Sequence, residues 1–558
     1  MHKRFWLSIA MLAIGAGLLA ATALGGSSKA GSSNAQQART GGTAHFVQEI
    51  DFENVDPARS YVTNEWQFEW LTGRMLLNYA HKAGKAGYRL NNDAAKSYRI
   101  SKDGKTYTFA LRQGMKFSDG KPITAANFKH AFLRLLNPGV QSPAASFMID
   151  PASVNIVGGG AYNADGKGSV GISTKGKYTF IIKLVKPSPL MLSLVALPFT
   201  SAEPIGFPFQ PITKIPFGSF KQLPSGGRYY LASRTPSRSV VLKKNKYYQP
   251  LGAARVPGHF NQINYQIGVE ASQELLLIKK GTADWHSGPL DPSVWGNLFK
   301  QYGTKGRARS IPTSCVAYAA MNTTHNAFGS VNARKAVNYG MGRRAFVTLD
   351  GAQGGVTTSQ LLTPSIPGYK KANLYPNNPN VSKATSLARG HTGAHIELWH
   401  TTTDASVLRA QLLESQLKRI GFSNIEQKSI ASGYYTQLGK KGTSYDIARA
   451  GWCQDFPDPY DYLNKLLSGN TIQDAQNVNI SYFNNKTANK LMNQAAAQKP
   501  PKRYKTYGAL DAKIAKTWAP LANYEILNDR EFFSSRIDTK SIKVSNIYGI
   551  DLGQLALK

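Results

Sequence analysis

Along this chain the spacing of apolar residues changes repeatedly, and each change marks an element. Thr43–Ile50 alternates weakly and predicts a first strand. In Trp66–Tyr79 the apolar residues Phe68, Leu71, Met75 and Leu76 recur at helical spacing. Tyr107–Leu111 alternates as a strand, Ser118-Asp119-Gly120 makes a turn, and Thr124 then stands as the N-cap of a helix from Ala125 to Leu136, which Asn137-Pro138 ends. Tyr178–Val185 predicts another strand, Arg228–Leu242 a hairpin and Glu270–Ile278 a helix. From Cys315 the pattern restarts, with the strand-like CVAYAAMN followed by a helix over Asn332–Leu349. His395–His400 reads as a strand. Asp404 caps a helix whose face is Val407, Leu408, Leu412, Leu413, Leu417 and Ile420, with Gly421 at its C-cap. A strand over Phe422–Ile430 and a helix over Tyr504–Ala515 complete the series. Strands alternating with helices over several hundred residues predict α/β lobes, each on a mainly parallel sheet.

Composition sharpens this picture. With 558 residues, 42% of them hydrophobic, the chain can bury large cores and is expected to fold into two or more lobes. A formal net charge of +35 raises nucleic acid as a partner. The basic residues are spread along the chain with only short clusters such as Lys243-Lys244-Asn245-Lys246, and no finger or RNP-type pattern occurs, so no nucleic-acid partner is expected. His2, Lys3 and Arg4 precede an apolar stretch from Phe5 to Leu24, and Ala21-Thr22-Ala23 offers a cleavage site. This is the layout of an export signal over 1–23, or of an uncleaved membrane anchor, followed by a flexible tether over 24–42. No cysteine follows the apolar stretch to carry a lipid. The two cysteines, Cys315 and Cys453, form a plausible disulfide in an exported chain, with two buried thiols as the other possibility. No zinc-type spacing is present.

The chemistry concentrates in Ala448–Asn464, ARAGWCQDFPDPYDYLN. Three aspartates, Asp455, Asp458 and Asp461, among aromatics form an acidic exception in a basic chain, suited to holding a cation with an apolar tail, or else to capping turns. The prolines argue against a helix here. Other motifs carry less. Gly166–Gly171 matches G-x-G-x-x-G but leads into a strand, leaving no helix N-terminus for a pyrophosphate. His391 and His395 lack the glutamate of a zinc protease, and no metal site or cofactor is expected. Asp455 and Asp458 would be the paired acids of a secreted hydrolase, an alternative that a single tight loop does not favour.

Four blocks, in order, resemble one family. Tyr107–Phe132 (YTFALRQGMKFSDGKPITAANFKHAF), Arg238–Tyr248 (RSVVLKKNKYY), Val331–Val347 (VNARKAVNYGMGRRAFV) and the Gly-Trp-x-x-Asp motif at Gly451–Asp455 are similar to the family 5 solute-binding proteins of ABC importers, which take oligopeptides, dipeptides or nickel. The resemblance implies a two-lobed periplasmic-binding-protein fold with an extra N-terminal subdomain and a hinge between lobes. The expected division is 43–75, 213–314 and 525–558 for one lobe, 76–212 for the extra subdomain and 315–524 for the second lobe. Crossings between lobes are expected near Ser314–Ala317 and Ala522–Glu525. It implies that Cys453 bonds Cys315 and that Asp455 holds the ammonium group of a peptide, with Arg449, Trp452 and Tyr434 or Tyr435 in the cleft wall and the other acids of the run forming turns. It further implies an exported, monomeric, non-enzymatic protein whose partners are a peptide ligand and a membrane ABC permease with its ATPase. A non-peptide cationic or metal-chelate ligand on the same scaffold is the nearest alternative. Where the family places an acid near the start of its first-block helix, this chain has Ala126-Asn127, and Thr124 is left to cap the helix.

Overall fold

The computed structural model describes residues 39–213, 220–252, 256–288 and 290–558. The expected export signal and most of the tether lie outside these residues.

The protein is a two-lobed α/β molecule built on three main sheets. The first has five strands in the order Trp285–His286, Thr43–Gln48, Gln262–Ile267, Ser239–Lys244 and Tyr229–Thr235. The second has six, in the order Gly355–Thr357, Leu521–Phe532, Ala308–Met321, Ile447–Trp452, Ile396–Thr401 and Ile425–Ile430. The third is a four-stranded antiparallel sheet of Ala95–Ile100, Thr106–Leu111, Thr179–Lys183 and Ile172–Lys175. Mainly parallel sheets were expected; the two large ones are mixed. In the first, only Trp285–His286, Thr43–Gln48 and Gln262–Ile267 run parallel. Its remaining strands are joined by a tight turn between Thr235 and Ser239, which forces antiparallel pairing. In the second, Ala308–Met321 and Leu521–Phe532 run antiparallel along most of their length, and only the last three strands are parallel.

These two long strands carry the chain from one lobe to the other. Their lower end packs Ala308 and Phe532 against Val47 and Trp295 beside the five-stranded sheet. Their upper end lies in the middle of the six-stranded sheet. The pairing is interrupted between Pro312 and Val316. Cys315 sits in that interruption and is joined to Cys453, just beyond Ile447–Trp452, by a disulfide. The bond closes a loop of 138 residues, worth about 4–5 kcal/mol in the chain-entropy account.

Several elements follow local rules. The helix Ala125–Leu136 starts at Thr124, whose backbone N–H and hydroxyl both donate to Asn127 Oδ1, at 2.9 and 3.0 Å. Asn127 therefore replaces the acid of a capping box. The expected single helix over Asn332–Leu349 is two, Val331–Gly340 and Arg343–Leu349, broken at Met341-Gly342. The cap of the next long helix is Thr403 rather than Asp404: its hydroxyl accepts from the Ser406 N–H at 3.3 Å, and Asp404 is the first helical residue. The run Ala448–Asn464 is not helix-free. It is a strand to Trp452, a turn, and a helix over Tyr460–Leu467 whose eight residues are all buried. Pro459 stands at its N-cap, where a missing N–H costs nothing.

The helix Ala125–Leu136 also fixes a distant loop. Its buried Arg134 donates to both Asp56 oxygens, at 3.1 and 2.9 Å, and to Glu203 at 2.8 Å. Asp56 in turn accepts from the Ala58 and Ile212 N–H groups. Removing one partner of such a buried set leaves uncompensated charge. Arg134→Met is expected to cost about 3–5 kcal/mol near pH 8, read by denaturant unfolding. The cost should be smaller at pH 5, because burial has pushed the Glu203 carboxyl up to about 7 and it is then protonated.

Candidate ligand-binding site

A cavity of about 450 Å³, within the range of ligand sites, opens where the loop 53–62 and the start of the helix Thr63–Thr72 face the six-stranded sheet. The strand Ile447–Trp452 pairs with Ala308–Met321 along one edge. Along its other edge, pairing with Ile396–Thr401 stops at Ala448. From Arg449 to Trp452 that second edge has no strand partner among the described residues, and these residues line the cavity. All five residues expected in the cleft are brought together here: Tyr434, Tyr435, Arg449, Trp452 and Asp455 line the same space, as does the disulfide. Trp452 is half-buried and edge-on to Tyr61, 5.9 Å between ring centroids. Tyr434 is buried, its hydroxyl between the carbonyls of Trp399 and Arg449 at 2.9 and 2.8 Å. Arg449 donates to the Tyr524 hydroxyl at 3.1 Å.

Asp455 is buried, and Tyr61 donates its hydroxyl to Asp455 Oδ2 at 2.6 Å from the facing loop. The Asp455 N–H donates to Asp461 Oδ2 at 2.7 Å. The other acids of the run are more than turn-formers, contrary to expectation. Asp461 lies fully buried behind Asp455. Asp458 accepts from the Tyr460 N–H, as a turn residue does, but also takes a two-pronged ion pair from Arg503 at 2.7 and 3.0 Å. Bound to Arg503, Asp458 is not the second free acid that a hydrolase would need. A single lysine, Lys465, is buried near these carboxyls, with its ammonium 4.0 Å over the Phe147 ring and donating to the Pro143 carbonyl at 2.8 Å. No group of three His, Cys, Asp or Glu among the described residues is placed to hold a metal ion.

The sequence profile of the bacterial extracellular solute-binding proteins, family 5 Middle, matches residues 89–474. The chain belongs to this family. Its members are binding proteins rather than enzymes. Among curated relatives, the periplasmic oligopeptide-binding protein OppA of Salmonella typhimurium is 24% identical over 80% of this chain and 82% of its own length. OppA of Bacillus subtilis is 26% identical over 72% and 73% respectively. Among solved structures, Haemophilus influenzae OppA in complex with the peptide RPPGFSPFR matches with a TM-score of 0.77 at 20% identity, covering 93% of this chain and all of that one. The Escherichia coli murein tripeptide binding protein MppA matches with a TM-score of 0.78 at 20% identity, over 92% and 98%.

In this family 5 protein the site buries charged groups. Burial pushes the Asp455 carboxyl up to about 6, against the opposing pull of the Tyr61 hydroxyl and the Lys465 ammonium. Burial and the charge of Asp455 push Asp461 well above the usual carboxylate range. The same desolvation lowers Lys465 to about 7. Two adjacent carboxyls in one buried site cannot both ionise without added positive charge.

Glu53, Tyr61, Trp66, Asp461 and Lys465 were not foreseen. The loop that carries Glu53 and Tyr61 has no periodicity to read, and its position depends on Asp56 binding Arg134 far along the chain. Glu53 accepts from the Tyr435 and Thr436 N–H groups at 3.2 and 3.3 Å and from the Thr436 hydroxyl at 3.0 Å, so it clasps the cavity's aromatic wall. The one available signal was compositional: Asp461 and Lys465 lie on one face of an apolar helix, four residues apart.

The raised Asp455 value has a stability consequence of definite sign. Its folded value of about 6 lies above the ordinary one, so its contribution is fully present below about 4 and is lost as pH rises through about 6. Asp455→Asn is therefore expected to raise the unfolding midpoint of the unliganded protein at pH 8, to raise it by roughly half as much at pH 5, and to leave it unchanged at about pH 3, measured by thermal denaturation.

Proposed function

We propose that this protein is an exported binding component of an ABC importer that captures short peptides and hands them to a membrane permease. The observation that carries this reading is the position of Asp455, a buried carboxylate in an aromatic wall beside an unpaired strand edge. A peptide α-ammonium would provide the positive charge that Asp455 lacks, and an ammonium taken out of water requires such a partner. The edge from Arg449 to Trp452, whose Arg449 carbonyl now accepts from the Tyr434 hydroxyl, would take the peptide backbone as an added strand when that hydroxyl gives way, so that affinity need not depend on side-chain identity. Arg449 is the counter-charge for a carboxylate farther along the same strand. Trp452, Tyr434 and Tyr435 supply apolar walls for side chains, and opening and closing of the lobes about the two long strands would admit and retain the ligand.

The charge pattern also supports a cationic group on the ligand. Among the described residues seventeen acidic side chains are buried, against nine lysines and arginines, although bases outnumber acids about two to one. The outside is therefore even more basic than the composition, while the cavity is lined by the carboxyls of Glu53 and Asp455 together with Arg59 and Arg449.

Asp455→Asn is expected to weaken binding of a free-amine tripeptide by about 30-fold or more at pH 7.5, the usual loss when a buried charge partner is removed. An N-acetylated form of the same peptide should bind the unaltered protein about as poorly and lose little further in the variant. Calorimetry with both peptides reads the result. Equal affinity of the unaltered protein for the two would refute the ammonium role.

A further inference from the structure

The four-stranded sheet contributes nothing to the cavity; from 76–212 only Pro143 reaches it. One end of this sheet is unusual in its chemistry. Three pieces of chain meet there. The turn 101–105 joins Ala95–Ile100 to Thr106–Leu111, closed by Gly104 N–H to the Ser101 carbonyl at 2.8 Å. The Lys105 carbonyl accepts from Leu184 N–H at 2.8 Å, which brings in the strand end 183–187. Val157 N–H donates to the Lys183 carbonyl at 3.0 Å and Val185 N–H to the Asn155 carbonyl at 2.9 Å, which adds the segment 155–157.

This tip exposes lysines and aliphatic side chains together. Lys102, Lys105, Lys183 and Lys186 are exposed. Ile100, Val157 and Val185 are 43, 42 and 50% exposed. The acid within the turn, Asp103, is engaged by the turn itself, accepting from the Ser101 hydroxyl and, at 3.1 Å, from the Lys105 N–H. The lysines that pair with carboxylates lie elsewhere, at Lys121, Lys418 and Lys441. A rigid sheet end thus presents four ammonium groups around three aliphatic side chains.

We propose that this tip is a docking surface for an anionic lipid bilayer. The charge selects anionic headgroups, each lysine near such a surface adding to the attraction. The exposed Ile and Val select an amphipathic partner over a soluble polyanion, because they have an apolar boundary to enter only at a membrane. Lysine stems lie along the apolar contact while their ammonium groups stay among the phosphates. The surface holds the binding protein flat to the membrane by its subdomain and leaves the cavity free.

The test uses the full chain carrying Val185→Cys, labelled with an environment-sensitive dye; the described residues contain no other free thiol. Vesicles of phosphatidylcholine with 30% (about one lipid in three, for a surface of strong negative potential) phosphatidylglycerol are compared with pure phosphatidylcholine. A Leu408→Cys label on the second lobe serves as reference, since Leu408 is equally exposed. The expected result is a blue shift at position 185 only, with anionic vesicles only, reversed by high salt. Replacing Lys102, Lys105, Lys183 and Lys186 together by Gln should abolish the shift at position 185. No shift at 185, an equal shift at 408, or a shift that survives the four-lysine replacement would each overturn the proposal. Because the readout is local to two labelled sites, an insertion of the N-terminal apolar segment alone cannot produce the expected pattern.

Discussion

The hydrogen bond from Tyr61 to Asp455 is the contact on which the arrangement of the site depends. A carboxylate meant for a ligand must be withdrawn from water, yet withdrawal drives it to take a proton. The Tyr61 hydroxyl, at 2.6 Å, counters that drive without neutralising the acid. It also requires two distant pieces of chain to meet. On one side the loop 53–62 is set by Arg134 between Asp56 and Glu203. On the other, the turn after Trp452 is set by the Cys315–Cys453 bond, by Arg503 gripping Asp458, and by Asp461 accepting from the Asp455 N–H. The buried helix Tyr460–Leu467 anchors this turn against Phe147 of the four-stranded subdomain, with Phe456 edge-on to the same ring at 5.7 Å.

Much of the fold was legible because it is locally encoded. Alternation found Thr106–Leu111 and Ile396–Thr401, and the Thr124 cap and Asn137-Pro138 stop located a helix to the residue. What failed was non-local or shared between two rules. Parallel pairing was assumed from alternation of strand and helix, but the two long crossing strands run antiparallel. Two prolines hid a helix that begins immediately after the second of them. Tyr434, Tyr435, Arg449, Trp452 and Asp455 were named from the resemblance to a family. The facing residues, Glu53 and Tyr61, were invisible, since nothing in the loop's own composition says which surface it will face.

The distribution of charge resolves an apparent conflict in the composition. A chain with twice as many bases as acids is an odd receptor for cations. Folding separates the two populations. Acids are drawn inward, where Arg134, Arg503 and backbone donors hold them or where burial keeps them protonated, as with Glu65 and Glu531, both pushed up to about 8. Most lysines stay outside. Folding thus gathers the acids inside and leaves a strongly basic outer surface.

The central claim is that a peptide's ammonium group takes the place of the proton on Asp455. The most direct measurement is the number of protons exchanged on binding, from calorimetry of a free-amine tripeptide at pH 5.5 in two buffers of different ionisation enthalpy. Asp455 is then mostly protonated in the empty protein. The account predicts release of a large fraction of one proton per peptide bound, abolished in Asp455→Asn. Binding at full affinity with no proton released would contradict it.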